Sequence, residues 1–229
     1  MMNTLKTQPT TAEQRYDLRQ LSLIGAPMVL LVTMYLVYHG LITLLGMQVG
    51  LFLGMLVYWL VWCLAYPLWV VGPAELRAAF RGASPPVGPR RRLGWMLLAI
   101  PVMTAVAVGY MEVWPQATTA IILLSIPFAL ANGTFEEVLW RGAYVRAFPK
   151  QLILGYLYPA FGFAIWHLAP VLVQSGVYTP VEIGVGIGGA LVFGLCWGWV
   201  AWRTDSIRWT VASHILVNIG LLSAAVFMG

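Results

Sequence analysis

Two adjacent glutamates and an arginine interrupt an apolar stretch of this 229-residue chain, Asn132-Gly-Thr-Phe-Glu-Glu-Val-Leu-Trp-Arg141. In hydrocarbon each charged side chain costs roughly 2.5–3.5 kcal/mol on insertion scales, so such residues usually pair or take part in chemistry. On a helix, Glu137 and Arg141 lie four residues apart in the favourable acid-first order. Glu136 points about 100° away from Glu137 and lacks that partner. The spacing therefore predicts one structural ion pair and one carboxylate that is available for chemistry.

Two histidines in other apolar stretches could join that carboxylate. Phe163 precedes His167 by four residues, and Asn218 follows His214 by four residues, so each pair shares a helical face. Unsatisfied polar groups inside a membrane cost several kcal/mol each. We therefore expect Glu136, His167, His214 and Asn218 to converge on a single polar site.

The third histidine and the two cysteines are predicted to be structural. His39 has only Tyr35, Tyr38 and glycine nearby, which is typical of a packed or interfacial residue. Cys63 and Cys196 both lie in apolar stretches without a cysteine-pair spacing, which predicts buried thiols rather than a disulfide or a thiolate metal site.

The composition requires a membrane to surround these residues. The chain is 60% hydrophobic and only 9% charged, and no charged residue occurs between Arg19 and Glu75. A helix needs about 20 apolar residues to cross a bilayer, and the alternating pattern of a barrel is absent. We predict an all-α, polytopic transmembrane helical bundle of about seven helices. The predicted spans are 21–45, 51–71, 93–110, 117–147, 151–173, 181–202 and 209–227.

The domain organisation is predicted to be simple. Residues 1–20 form a polar, basic cytoplasmic segment, and the long apolar run after it is a retained helix rather than a cleaved signal. Residues 21–229 form one membrane domain, in which Pro127 is expected to kink the fourth helix. The glycine pairs 184/188 and 194/198 predict close helix packing rather than a phosphate-binding loop.

The positive charges predict the orientation. All 13 Lys and Arg residues precede span one, lie between spans two and three, close span four, or lie between spans six and seven. The positive-inside rule then places the N-terminus in the cytoplasm and the C-terminus outside, most simply in a bacterial cytoplasmic membrane. The basic loop at 72–92 is interpreted as a topogenic signal rather than a nucleic-acid site.

Three ordered motifs resemble those of the CAAX-protease and bacteriocin-processing family of intramembrane proteases, related to type II CAAX prenyl endopeptidases. They are Glu136-Glu137-Val-Leu-Trp-Arg141, Phe163-Ala-Ile-Trp-His167 and His214-Ile-Leu-Val-Asn218. The resemblance covers roughly residues 117–222, which would form the catalytic core, while spans one to three carry no motif.

The resemblance implies a role for each motif residue. Glu136 would act as the general base and, with His167, activate a water that attacks the scissile carbonyl. His214 and Asn218 would stabilise the oxyanion. Glu137 would hold its helix in register or assist its neighbour. The supporting positions are Glu137, Arg141 and Phe163.

The sequence leaves alternatives open for the cofactor, the substrate and the reaction class. A metal-free reaction is favoured, because Asn218 is a poor zinc ligand; a divalent metal such as zinc would instead use Glu136, His167 and His214. The substrate would be a membrane-associated or C-terminally anchored peptide or protein, lipidated or not. A proton-coupled transporter and a non-proteolytic immunity or scaffold protein are the alternatives, although no internal repeat supports a transporter.

Depth is the geometric difficulty. Counting about 1.5 Å per residue from the basic ends of straight helices, Glu136 lies ~16 Å deep, His167 ~24 Å and His214 ~8 Å. A tilt, a kink or helical extension of the turn at 203–208 must therefore close the gap.

Overall fold

The computed structural model describes residues 16–174 and 176–227, and in this part of the chain every regular element is helical. The all-α prediction is therefore confirmed. Residues 1–15 of the predicted N-terminal segment lie outside the described residues. The eight helices are α1 (Leu18–Leu45), α2 (Met47–Val70), α3 (Gly72–Ala79), α4 (Arg91–Glu112), α5 (Thr119–Ala147), α6 (152–172), α7 (Pro180–Thr204) and α8 (Arg208–Gly220).

Five of the eight helices, namely α1, α2, α4, α5 and α7, are long and apolar enough to cross a membrane. The chain is thus a multi-pass membrane protein, but the predicted seven full spans are not reached. A turn at His167 interrupts α6, and α8 has 13 residues. At about 1.5 Å per residue, α8 is ~20 Å long, short of the ~30 Å hydrocarbon core.

Side chains at the helix ends explain several boundaries. Asp17 caps α1 through a capping box with Gln20, and Thr179 caps α7 in the same way with Glu182. Each pair satisfies backbone N–H groups that have no intrahelical partner. Asp205 adopts a left-handed conformation, with φ at 57°, and ends α7.

Within the described chain, π-helical segments occur in α2 (Tyr58–Ala65), in α5 (Val138–Ala143) and in α6 (Ile153–Leu157). A π turn accommodates an extra residue and is frequent at functional sites. The α2 segment begins at Tyr58, and the α5 segment begins directly after Glu137. The π segments therefore adjoin residues of the polar site.

Polar contacts tie one end of the bundle together. The Arg146 Nη1 atom lies 3.1 Å from Asp205 Oδ2 and 3.5 Å from Glu75 Oε2. The Ser206 hydroxyl donates to the Arg81 carbonyl at 2.6 Å. We call this the basic end; it comprises the start of α1, the α2–α4 connection with α3, the α5–α6 connection and the α7–α8 turn.

The opposite end, here the far end, comprises the turn at Gly46 and residues 113–118, 173–174, 176–179 and 221–227. Trp114 Nε1 donates to the Gly220 carbonyl at 2.9 Å and so joins the ends of α4 and α8. The two bundle ends thus differ in character, since the lysines and arginines collect at the basic end.

The two glycine pairs of α7 behave differently. A Cβ at Gly194 would lie 3.2 Å from the Ala160 carbonyl oxygen, and one at Gly198 would lie 2.9 Å from the Tyr156 ring. Close packing is therefore confirmed for that pair. At Gly184 and Gly188 nothing lies within 4 Å of such a Cβ, so the prediction is wrong there. Among the described residues, these two glycine positions therefore have no close neighbour, although Ile187 between them packs against the core.

Candidate active site

Glu136 lies on α5 and is 2% exposed. Its Oε1 atom accepts hydrogen bonds from the Tyr58 hydroxyl at 3.0 Å and from Trp166 Nε1 at 3.1 Å. Its Oε2 atom accepts one from Asn132 Nδ2 at 3.1 Å. The spacing alone suggested a carboxylate without a partner. Glu136 instead accepts three hydrogen bonds, and its two oxygens have different surroundings.

The direction of the Tyr58 hydrogen bond is fixed by its neighbour. Trp140 Nε1 can only donate, and it donates to the Tyr58 oxygen at 2.8 Å. The Tyr58 hydrogen is then directed to Glu136. The Tyr58 ring also stacks on the Trp166 ring, with centroids 3.7 Å apart, so both Oε1 donors belong to one packed unit.

The predicted pair of Glu137 and Arg141 is present, with Arg141 Nη1 2.8 Å from Glu137 Oε1. The same oxygen also lies 3.0 Å from His214 Nδ1. The guanidinium sits over the Phe163 ring at 4.4 Å and the Trp197 ring at 5.3 Å. Glu137 therefore both neutralises Arg141 and orients His214.

His214 lies between the two glutamates. Its Nδ1 atom faces Glu137, and its Nε2 atom lies 3.4 Å from Glu136 Oε2. Carboxylate oxygens only accept, so the imidazolium form satisfies both ring nitrogens. With that form, two negative and two positive charges balance among Glu136, Glu137, Arg141 and His214. Balanced pairing limits the desolvation penalty of burying these groups.

Two asparagines join the site to α8. Asn132 Nδ2 also donates to Asn218 Oδ1 at 3.3 Å, and Trp59 Nε1 donates to Asn132 Oδ1 at 2.9 Å. Asn218 Nδ2 donates to the His214 carbonyl at 3.1 Å. This bond uses one of the two Nδ2 hydrogens and holds the amide beside Glu136.

His167 approaches the site from the interruption in α6. Its Nδ1 atom donates to the Phe163 carbonyl at 2.7 Å, since a carbonyl can only accept. That tautomer leaves Nε2 with a lone pair. His167 and Glu136 line the same two cavities, each of about 320 Å³. The structure thus brings Glu136, His214 and Asn218 into one network and places His167 on the adjoining cavity wall.

The contacts at the basic end resolve the depth difficulty between Glu136 and His214. The ion pair between Arg146 and Asp205 places the end of α5 and the α7–α8 turn at the same depth along the bundle. Glu136 lies ten residues from Arg146 and His214 lies nine from Asp205, which at about 1.5 Å per residue gives ~15 and ~14 Å. Counting from the turn rather than from the predicted helix start removes the mismatch between Glu136 and His214, and His167 lines the same two cavities as Glu136.

Sequence reasoning missed several residues that hold Glu136. Asn132 could have been found, because it precedes Glu136 by four residues in the same apolar stretch. Tyr58 and Trp166 gave no such signal, since aromatic residues in membrane helices usually pack or anchor. Spans one to three carry no motif, yet α2 supplies Tyr58 to the carboxylate.

Of the residues predicted to be structural, His39 and Cys196 lie away from this network, whereas the Cys63 thiol contacts the Tyr58 hydroxyl. His39 is exposed and stacks on Tyr35, with ring centroids 6.1 Å apart, which fits an interfacial position. Cys63 and Cys196 are buried and free.

The alternative metal set of Glu136, His167 and His214 is not assembled as a ligand group in the part of the chain that the structure describes. Among the residues that the structure describes, no group of three His, Cys, Asp or Glu side chains could hold a metal ion. Both ring nitrogens of His214 already face carboxylates. No step below is therefore routed through a metal.

Comparison with known proteins gives one positive result. Residues 95–220 match the family described as "Type II CAAX prenyl endopeptidase Rce1-like". Neither the curated proteins nor the solved structures include a match to this chain.

Proposed function

Because the chain belongs to the Rce1-like family of type II CAAX prenyl endopeptidases, we propose that it is a glutamate-type intramembrane endopeptidase. Its substrate is a membrane-associated or C-terminally anchored peptide or protein, with or without a lipid, in the bacterial cytoplasmic membrane. The family is a protease family, which favours this reading over a transporter or a scaffold. The observation that carries the proposal is the buried Glu136 carboxylate beside His167, His214 and Asn218.

The reaction uses the two inequivalent oxygens of Glu136. A water in the cavity lies between Oε2 and the Nε2 lone pair of His167. Oε2 accepts a proton from the water while the water oxygen forms a bond to the scissile carbonyl carbon. Glu136 then gives this proton to the leaving nitrogen, the C–N bond breaks, and the carboxylate returns to its charged form.

His214 and Asn218 act on the carbonyl oxygen. As the carbonyl becomes tetrahedral, its oxygen gains negative charge and accepts hydrogen bonds from His214 Nε2–H and from Asn218 Nδ2–H. Donors held in place before the reaction stabilise this charge without reorganisation, which is often the largest catalytic contribution. Glu137 keeps the His214 ring in the orientation that this step requires.

Comparison of membrane proteomes tests the proposal. Cells producing the wild-type chain are compared with cells producing Glu136→Gln, and C-terminal fragments are identified by mass spectrometry. The matched control is Glu112→Gln, the same change at an exposed glutamate on α4. We expect fragments to disappear only in Glu136→Gln. Full turnover of a genuine substrate by Glu136→Gln would contradict the mechanism.

A further inference from the structure

One of the two cavities beside Glu136 leads to the far end of the bundle. Its lining begins at Glu136 and Asn218 and includes Gln174, Tyr178 and Glu182. Tyr178 lies in the α6–α7 connection and is 37% exposed, and Glu182 lies in the first turn of α7 and is also exposed. The cavity thus joins the buried carboxylate to the surface at the far end.

The opposite direction is filled by side chains. Glu137 and Arg141 are 0% and 2% exposed and lie between Glu136 and the basic end. Beyond them the ion pairs of Arg146 close the ends of α5 and α7. A separate apolar cluster fills the same region; its buried members are Leu76, Ala79, Val138, Val145, Ala201 and Ile207.

The glycine-rich start of α7 widens the approach. Gly186 lines both cavities that reach Glu136, and nothing lies within 4 Å of a Cβ built on it. Gly189 lines the second cavity and is equally open. At Gly186 and Gly189 the wall that α7 contributes has no side chain, and both cavities border Gly186.

The charges assign sides to the two ends. Among the described residues, every Lys and Arg except the buried Arg141 lies at the basic end, and the acidic residues of the far end are Glu112 and Glu182. Basic residues collect on the cytoplasmic side of membrane proteins. The far end therefore faces away from the cytoplasm.

We propose that substrate reaches Glu136 from the extracytoplasmic side, through the opening lined by Gln174, Tyr178 and Glu182. This inference rests on the proposed protease function and specifies its substrate. The substrate is a peptide segment of an exported or outer-leaflet-anchored protein, not a cytoplasmic tail. The mouth carries the Glu182 carboxylate and, within the described chain, no cation, so like-charge repulsion disfavours an acidic peptide.

Thiol accessibility tests the proposal without requiring proteolysis. In a Cys63→Ala, Cys196→Ala background, Gly186→Cys reports on the cavities. Tyr178→Cys reports on the mouth and serves as the second variant. The control Ser84→Cys lies on the exposed connection at the basic end. A membrane-impermeant maleimide is applied to intact cells and to inverted membrane vesicles.

We expect Gly186→Cys and Tyr178→Cys to react in intact cells, and Ser84→Cys to react only in inverted vesicles. The reverse pattern would overturn the proposal, as would a Gly186→Cys thiol that reacts from neither side. If the expected labelling is found in a protein that cleaves nothing, the route stands and the protease function fails. If cleavage occurs but labelling is reversed, the function stands and the route fails.

Discussion

Replacing Tyr58 by phenylalanine should separate the positioning of the catalytic carboxylate from the packing around it. The change removes the hydroxyl that donates to Glu136 Oε1 and accepts from Trp140 Nε1. The aromatic ring and its stacking on Trp166 remain. Glu136 keeps one of its two Oε1 donors, so the carboxylate gains rotational freedom without leaving the site.

The magnitude follows from the bonds lost. A hydrogen bond to a charged group contributes about 1.5–3 kcal/mol, and a buried donor left unsatisfied costs about 1–3 kcal/mol. The lost hydrogen bond from Tyr58 to Glu136 affects the reactive carboxylate directly. Because 1.36 kcal/mol corresponds to a tenfold change in rate, kcat should fall by about 10- to 100-fold. The second loss strands Trp140 Nε1 and lowers the free energy of unfolding.

The assay is steady-state cleavage of an identified substrate by purified protein in liposomes, with thermal unfolding measured in parallel. A kcat decrease at nearly constant KM indicates an interaction made in the transition state. The matched control is Tyr38→Phe, another buried tyrosine of the cavity wall, whose hydroxyl contacts Met55 Sδ at 3.9 Å and, within the described chain, donates no hydrogen bond to Glu136. We expect little change there. A folded Tyr58→Phe protein with wild-type kcat would refute the positioning role.

Three further changes test other parts of the site. Glu137→Gln should cost about 3–5 kcal/mol of stability, because it leaves Arg141 buried without a counter-charge; Arg141→Met added to it should recover stability in thermal unfolding but not activity. Gly133→Ala should lower both stability and turnover, because its Cβ would lie 2.8 Å from Ile215 N and would push α8 away from α5. The same change at Gly184, where nothing lies within 4 Å, should be tolerated in both assays. Cleavage should persist after dialysis against a zinc chelator, and an activity loss that added zinc reverses would contradict the metal-free mechanism.

The parts of the site that follow helical periodicity could be predicted. Glu137 and Arg141 share a face at a spacing of four residues, and they pair at 2.8 Å. Burial of polar groups in an apolar chain also predicted that Glu136, His167, His214 and Asn218 would converge, and the structure joins all but His167 in one network, with His167 on the adjoining cavity wall. Both arguments depend only on local geometry and on the cost of isolated charge in hydrocarbon.

Features that depend on contacts between distant segments could not be predicted. Tyr58 is 78 residues from Glu136 in sequence, and its π-helical surroundings alter the register that an ideal helix would have. The interruption of α6 at His167 and the end of α8 at Gly220 were likewise not predicted. Hydropathy alone predicts that α6 and α8 both cross the membrane completely.

The inequality of the two Glu136 oxygens has a stereochemical consequence. Oε1 is occupied by Tyr58 and Trp166, so on the proposed mechanism the attacking water must lie on the Oε2 side. The oxyanion donors His214 and Asn218 are fixed on α8. A planar carbonyl held between them is attacked on only one of its two faces, and the tetrahedral carbon forms with a single handedness. A peptide with a D-residue before the scissile bond cannot place both that carbonyl face and its side chain as the L-peptide does, so it should be cleaved much more slowly.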